Sequence, residues 1–493
     1  MRTNNLKIYA YHTHYVIEGY RPGLCYDLER LLSTFDDKIT FSTTEYFYYD
    51  GHGNLYIPRG IDPEYLHKVT GRPIEKYVKE CNPYKKMSFA MKISPRDDIQ
   101  KESIRFLLGR DDYKYTLGAS QLVLSLIGGG GKTYCAVTAM SIFEMKTIVI
   151  CHSDLIKQQW KDRILQYSYL SEDQILMLDS SKQLVSYLNP TKSTQKIIDK
   201  SSVFLITHSL MHSFMKNHFE DTNQLFINLG IGLKIVDEFH RNFMNTLLID
   251  YATDVYKTFY LSATPGRTDN KENLIFQNSF NRVYKLKRTA EDMNRERKII
   301  AIYDLFRSNL SQVEIQSMYN RKTFSVHKYT EYELEDGKII ERLDEWLQWL
   351  DSKVSEGQMI FVLSSMKSSC DDLAKIISKW YPNKKVCSYH SGNKIDNYYE
   401  YDIVCATVSM VGTGNDYQNL KAVINMEAFG SAVTADQLVH RLDRGNTDIG
   451  YTYYIDLIDK KVPNARAMYK KRSATINQFV LKSLIKDSSV IRR

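Results

Sequence analysis

No stretch of this 493-residue sequence approaches the ~20 consecutive apolar residues of a bilayer span, which excludes a helical membrane protein. The opening Met1-Arg2-Thr3-Asn4-Asn5 leads into polar and aromatic residues rather than an apolar leader, so no secretory signal is expected. Cysteine is scarce, with seven at positions 25, 81, 135, 151, 370, 387 and 405. None forms a Cys-x-x-Cys pair, which argues against a zinc knuckle and against a disulfide framework. Cys135, Cys151 and Cys405 lie in apolar stretches and are expected as small core residues of a chain in a reducing cytoplasm. Internal repeats and low-complexity segments are missing too. What is present is globular in kind: 43% hydrophobic and 25% charged residues, far from the composition of a disordered chain. At ~150 residues per domain, the length suggests about three domains.

The formal charge is +8 and unevenly spread. Residues 460–493 hold ten Lys or Arg against one Asp, and residues 282–328 hold eleven against five acids. Either run alone suits a solvated face or tail. Beside a core that handles phosphate, contact with a nucleic-acid backbone becomes the better reading. Tyrosine is abundant, at 36, and with the many Lys, Asn and Ile residues it points to an AT-rich source genome.

Residues 1–88 read as a small α+β domain. Lys7–Tyr11 and Ile39–Thr43 have strand composition, and Tyr46-Phe47-Tyr48-Tyr49 is joined to Leu55-Tyr56-Ile57 through Asp50-Gly51-His52-Gly53-Asn54. That is a hairpin signal, since glycine supplies the positive-φ turn. Any single one of these tyrosines suits the small domain's own core, but alternation puts Tyr46 and Tyr48 on one face and Phe47 and Tyr49 on the other, so one aromatic face is expected to be free to stack on bases. A chain starting near residue 89 is then expected to keep nucleotide binding but to lose much of its preference for branched over linear DNA. Pro63–Val69 suits a short helix.

Beyond residue 88 short apolar runs alternate with helical stretches. Leu122–Leu126, Thr147–Ile150, Val203–Ile206, Leu233–Val236 and Thr258–Leu261 form a first series; Met359–Leu363, Lys385–Ser388, Ile403–Ala406, Ala422–Asn425 and Tyr453–Asp456 form a second. Bare apolar runs suit parallel strands covered on both faces. Two α/β units follow, joined near residues 285–340.

Gly128-Gly129-Gly130-Gly131-Lys132-Thr133 sits between a strand and a helical stretch. Glycines let backbone N–H groups wrap phosphates, and the helix N-terminus adds positive potential. Lys132 would reach the β/γ-phosphates of a nucleotide and Thr133 would ligate Mg2+. Val236-Asp237-Glu238-Phe239-His240 ends a later strand. There Asp237 would hold Mg2+ and Glu238 would polarise the attacking water, the division of labour phosphoryl transfer needs. Leu261-Ser262-Ala263-Thr264-Pro265 offers small hydroxyls at a strand end. In Gln437-Leu438-Val439-His440-Arg441-Leu442-Asp443-Arg444, residues Gln437, Arg441 and Arg444 share one helix face. Two arginines aimed at one spot suit γ-phosphate contact; a solvated face paired with Asp436 and Asp443 is the plainer alternative.

In this order and on these elements, the four signals resemble superfamily 2 helicases of the DExH kind, over roughly residues 90–460. The resemblance implies further roles. Gln100 would read adenine, and Gly414 and Asp416, within Gly412-Thr413-Gly414-Asn415-Asp416, would meet the nucleotide. Ser153 (in Ile150-Cys151-His152-Ser153, with Gln159-Trp160), Thr207, Ser364 and Thr407 would touch the nucleic-acid backbone. Tyr49-Asp50-Gly51, Leu55 and Ile57-Pro58-Arg59-Gly60 are similar to the accessory domain of the group holding phage UvsW-type branch-migration helicases and the poxvirus transcript-release helicase. Leu126 replaces the first glycine of the strict phosphate-loop pattern, and His440 stands where many of this group have Gly.

The expected fold is therefore α/β: two RecA-like lobes with parallel sheets, residues 89–287 and 288–493, the second with a basic tail, preceded by an α+β accessory domain, residues 1–88. The expected activity is that of a monomeric, ATP- and Mg2+-dependent DNA helicase or translocase acting on branched or forked DNA. Viral replication, recombination or repair in the host-cell cytoplasm is its expected setting. Transcript release and RNA unwinding are the alternatives.

Overall fold

The computed structural model describes residues 5–36, 42–126, 130–263, 270–288, 292, 298–320, 323–393, 395, 398–411, 419–443 and 450–488. The chain divides into two compact units, Met1–Met293 and Asn294–Arg493.

The first unit contains a five-stranded sheet of β1 (Lys7–Ala10), β2 (His14–Glu18), β3 (Tyr48–Tyr49), β4 (Asn54–Pro58) and β5 (Ile74–Tyr77), in the order β3-β4-β2-β1-β5. The aromatic hairpin forms, with Tyr48 opposite Tyr56. The Asp50 carboxylate holds its turn by accepting the His52 and Asn54 N–H groups at 2.7 and 3.0 Å. Its rings, however, are already engaged. Tyr46 stacks 5.1 Å from Phe243, Tyr48 lies 3.9 Å from Phe219 and Tyr49 lies 6.4 Å from Tyr20. Tyr251 donates its hydroxyl to the Tyr46 carbonyl at 2.7 Å. The free stacking face expected from alternation is absent, because helices of the following residues cover it.

Seven parallel strands follow: β6 (Gln121–Leu126), β7 (Thr147–Cys151), β8 (Ile175–Met177), β9 (Val203–Thr207), β10 (Leu233–Asp237), β11 (Lys257–Ser262) and β12 (Tyr284–Arg288). They lie in the order β8-β9-β7-β10-β11-β6-β12. Successive residues of one strand face opposite cores, as the pleat requires. Leu122 and Leu124 join a core with Cys135, Val137 and Trp160; Val123 joins another with Phe243, Tyr251 and, from the five-stranded sheet, Ile8, Tyr15, Ile17 and Ile57. That sheet is thus part of the hydrophobic cover of β6–β12. Polar ties reinforce the packing: Gln121 donates to the Thr13 carbonyl at 3.1 Å, and Asp62 binds Arg282 at 2.9 Å.

The second unit carries seven more parallel strands: β13 (Ile299–Phe306), β14 (Met359–Ser364), β15 (Val386–Tyr389), β16 (Ile403–Thr407), β17 (Leu420–Asn425), β18 (Thr452–Asp459) and β19 (Lys482–Asp487). Their order is β15-β16-β14-β17-β18-β13-β19. Sequence patterning located five strands in each sheet and missed β8, β12, β13 and β19. The joining segment and the basic tail hid β13 and β19, since charged residues within and beside these strands mask their apolar pattern. The tail is in fact built into the fold. Pro463–Ile476 is a helix, Arg472 is buried on Asp456, and Lys460 pairs with Asp487 at 2.7 Å. All seven cysteines are free thiols, and Cys135, Cys151 and Cys405 are buried as expected. Among the described residues no helix is long and apolar enough to cross a membrane.

Candidate nucleotide site and candidate nucleic-acid contacts

Gly131 ends the glycine run at φ +86 immediately before the helix Lys132–Phe143. Only glycine suits that conformation cheaply. A Cβ there would also collide with the side-chain amide of Gln100. Gln100 comes from the helix Asp98–Leu108, which Asp97 caps by accepting the Gln100 N–H at 2.8 Å. Its side-chain oxygen accepts the Arg96 N–H at 2.8 Å. The glutamine is therefore buried and held against the last loop glycine. Lys132, the first helical residue, donates its ammonium to the Leu126 carbonyl at 3.0 Å, folding back over the loop. Gly130 is described; Gly128 and Gly129 lie outside the described residues.

Asp237 is the last residue of β10, separated from β6 by β11 alone. Its Oδ2 accepts a 2.9 Å hydrogen bond from Trp160 Nε1, on the helix Asp154–Tyr167. Burial first, and the neighbouring Glu238 charge second, push the Asp237 carboxyl above the usual carboxylate range. The Trp160 hydrogen bond and the Lys132 charge pull the other way. So Lys132 and Asp237 feel one another across the strand ends. Glu238 has φ +46, a left-handed conformation that costs a non-glycine residue of order 1–3 kcal/mol and concentrates at functional sites. His240 Nδ1 lies 3.5 Å from Glu238 Oε2 and 2.8 Å from Ser262 Oγ, linking the ends of β10 and β11. Thr264 lies outside the described residues.

Of the four residues expected to meet the nucleic-acid backbone, Thr207, Ser364 and Thr407 end the fourth strand of the first sheet and the second and fourth of the second, and Ser153 stands two residues beyond the second strand of the first. Ser153 and Thr207 cap helices, accepting the Ile156 and Leu210 N–H groups at 3.4 and 3.3 Å. Ser364 ends β14 and is 1% exposed. Thr407 ends β16, its hydroxyl 3.2 Å from Ser409 Oγ. In the second unit Arg441 lies on the helix Ala432–Asp443 and is 6% exposed. Gly414, Asp416 and Arg444 lie outside the described residues. Trp160 was missed as the Asp237 partner, because their pairing depends on a helix–strand packing that spacing does not encode. The Asn242–His152 contact, at 3.0 Å, was missed for the same reason.

Residues 92–267 match the family described as Type III restriction enzyme, res subunit. This segment contains Gln100, the glycine loop, Lys132, Thr133, Trp160, Asp237 and Glu238. No curated protein matches the chain. Among solved structures, T4 UvsW is similar at 15% identity and TM-score 0.38, covering 99% of this chain and 100% of that one. The Hef helicase domain of Pyrococcus furiosus is similar at 13% identity and TM-score 0.44, covering 75% of this chain and 99% of that one.

Proposed function

We propose that this chain is an ATP- and Mg2+-dependent motor that translocates on DNA, with branched or forked DNA as its substrate. One observation carries the reading: Lys132 opens the helix that follows β6, and the Asp237-Glu238 pair stands at the end of β10, with β11 alone between them in the same parallel sheet. Lys132 would bind the terminal phosphates and Gln100 the base, while Glu238 would orient and polarise the attacking water. Arg441 and Arg444 would meet the charge that develops on the transferred phosphoryl group. Ser153, Thr207, Ser364 and Thr407 would contact the nucleic-acid backbone, and Gly414 and Asp416 the nucleotide.

The donor set fits Mg2+. Burial and the neighbouring Glu238 charge raise the proton affinity of Asp237, and a divalent cation held by Asp237 and Thr133 would relieve that repulsion. When bound, the ion supplies charge neutralisation between the β- and γ-phosphates.

Phosphate release tests the site. Lys132→Ala and Glu238→Gln should each lower ATP turnover by roughly 100-fold or more, Glu238→Gln with ATP binding kept. Wild-type turnover in either would remove the assignment. Strand displacement on forked DNA, four-way junctions and RNA duplexes then separates the substrates. Activity confined to RNA, or ATPase without any displacement, would replace branched-DNA remodelling by RNA unwinding or transcript release.

A further inference from the structure

A polar group that the nucleotide site does not use, buried at His208 and half-buried at His152 and Asn242, lies at the C-terminal ends of β9, β7 and β10, three adjacent strands. His152 follows β7, His208 follows β9, and Asn242 precedes the helix Phe243–Tyr251 that leads on from β10. The Asn242 amide nitrogen is 3.0 Å from His152 Nδ1. His208 is 1% exposed, and neither of its ring nitrogens has a hydrogen-bond partner among the described residues. Burying such a group without a partner forfeits its hydration uncompensated and needs a reason beyond packing.

Electrostatic proximity joins these side chains to the site. His208 feels the charge of His152; His152 feels Arg241 and Glu238; Arg241 feels Glu238 and Asp237. The backbone makes the same connection: the Arg241 N–H donates to the Glu238 carbonyl at 2.8 Å, closing a short turn that begins at the left-handed Glu238 and ends at Asn242. At the other end, His152 and His208 are the sequence neighbours of Ser153 and Thr207, the helix caps proposed to contact the nucleic-acid backbone.

We propose that His152, His208 and Asn242 form a positioning element that couples nucleic-acid engagement at Ser153 and Thr207 to the placement of Glu238, and so sets how strongly nucleic acid stimulates ATP hydrolysis. The inference rests on the reading of this site as a nucleic-acid-dependent ATPase. The three side chains act through Arg241 and the Glu238–Asn242 turn. A displaced helix cap would shift an imidazole, the imidazole would shift Asn242, and a turn already strained at Glu238 would move with it.

The test uses the full chain and steady-state phosphate release, alone and over titrations of oligo-dT, forked DNA and an RNA strand. In Asn242→Ala and His208→Leu, basal turnover and the KM for ATP should stay within about twofold, while maximal stimulation falls about fivefold or more. His208→Leu should also melt at or above the wild-type temperature, because leucine removes a desolvated imidazole. Asn242→Gln, which retains an amide, should recover part of the stimulation. Wild-type stimulation in both Asn242→Ala and His208→Leu overturns the coupling. So does a parallel loss of basal rate, stimulated rate and melting temperature, which marks a purely structural role. No stimulation of the unmodified chain, by contrast, overturns the functional reading and this inference together.

Discussion

Counted in chain order, the seven strands of each large sheet lie in the same sequence: third, fourth, second, fifth, sixth, first, seventh. The chemistry at matching strand ends nevertheless differs. In the first unit the first strand leads into the glycine loop and Lys132, and the fifth ends in Asp237-Glu238. In the second unit the first strand leads to a helix, Gln312–Ser317, capped by Ser311, and the fifth ends in Asn425. The Asn425 amide is spent inside the fold, donating to Asp456 at 2.8 Å, while Arg472 grips the same carboxylate at 2.8 and 2.9 Å. A shared topology delivers strand ends to one edge of a sheet; the side chains placed there decide what each end can do, and at the fifth strand they are a carboxylate pair in the first unit and an amide spent on the fold in the second. The covers differ as well. Helices such as Lys338–Asp351 and Pro463–Ile476 pack on the second sheet, whereas the first adds β1–β5 to one of its faces.

The largest effect should come from removing that extra cover. A chain beginning at residue 89 would bare Phe243, Tyr251 and Phe280. At roughly 1.5–3 kcal/mol per buried side chain, this would consume much of a net stability of ~5–15 kcal/mol. Aggregation or loss of cooperative melting is expected, in place of the retained nucleotide binding that the sequence suggested. A soluble fragment with a sharp melt would show that β1–β5 is a separable module after all.

Arg472→Leu should come next. It strands the Asp456 carboxylate in the core of the second unit and should cost about 3–5 kcal/mol in a denaturant melt. An effect below about 1 kcal/mol would mean that the pair is solvated.

Trp160→Phe sharpens the contrast from the other side. It keeps the ring packing and removes one hydrogen bond to Asp237, so ATP turnover should fall by about tenfold with little change in melting temperature. Unchanged turnover would make Trp160 a packing residue only.

The smallest effect is one of sign. Burial holds His208 down to about 3 and His14 down to about 4. Below the unfolded value of ~6.5 the unfolded chain binds these protons first, so their contribution to stability is lost as pH falls from there toward the folded values. Burial raises Glu427, in the second unit, to about 7. Its folded form keeps the proton, so its contribution is full below ~4.3 and is lost as pH rises through about 7. Urea melts between pH 4.5 and 7.5 should therefore show a flatter acid limb in His208→Leu and a flatter neutral limb in Glu427→Gln. Parallel curves for either variant and the wild type would contradict the assigned cause.

The strands legible in the sequence were the ones with the barest apolar runs, such as Val203–Ile206 and Met359–Leu363. Those missed are short, as β8 is, or carry charge, as β12 and β19 do. Ile299–Phe306 lies in a stretch whose flanking basic residues give it the composition of a charged linker. Pro63–Thr70 was legible because its signals are local: Asp62 caps it, Pro63 opens it and Gly71 ends it in a left-handed conformation.

By itself, then, the sequence determined what depends on near neighbours. Period-2 and bare apolar runs set the strands, a glycine run followed by Lys132 set the loop–helix junction, and Asp237-Glu238 set a carboxylate pair at a strand end. Tertiary structure alone decided what each exposed-looking group would meet. It turned the Tyr46 and Tyr48 rings inward on Phe243 and Phe219, gave Asp237 the indole of Trp160 from 77 residues earlier in the chain, and left His208 buried beside His152. Those outcomes rest on which helix covers which face of a twisted sheet. Side chains far apart in sequence meet only once that packing is complete, so no local pattern records them.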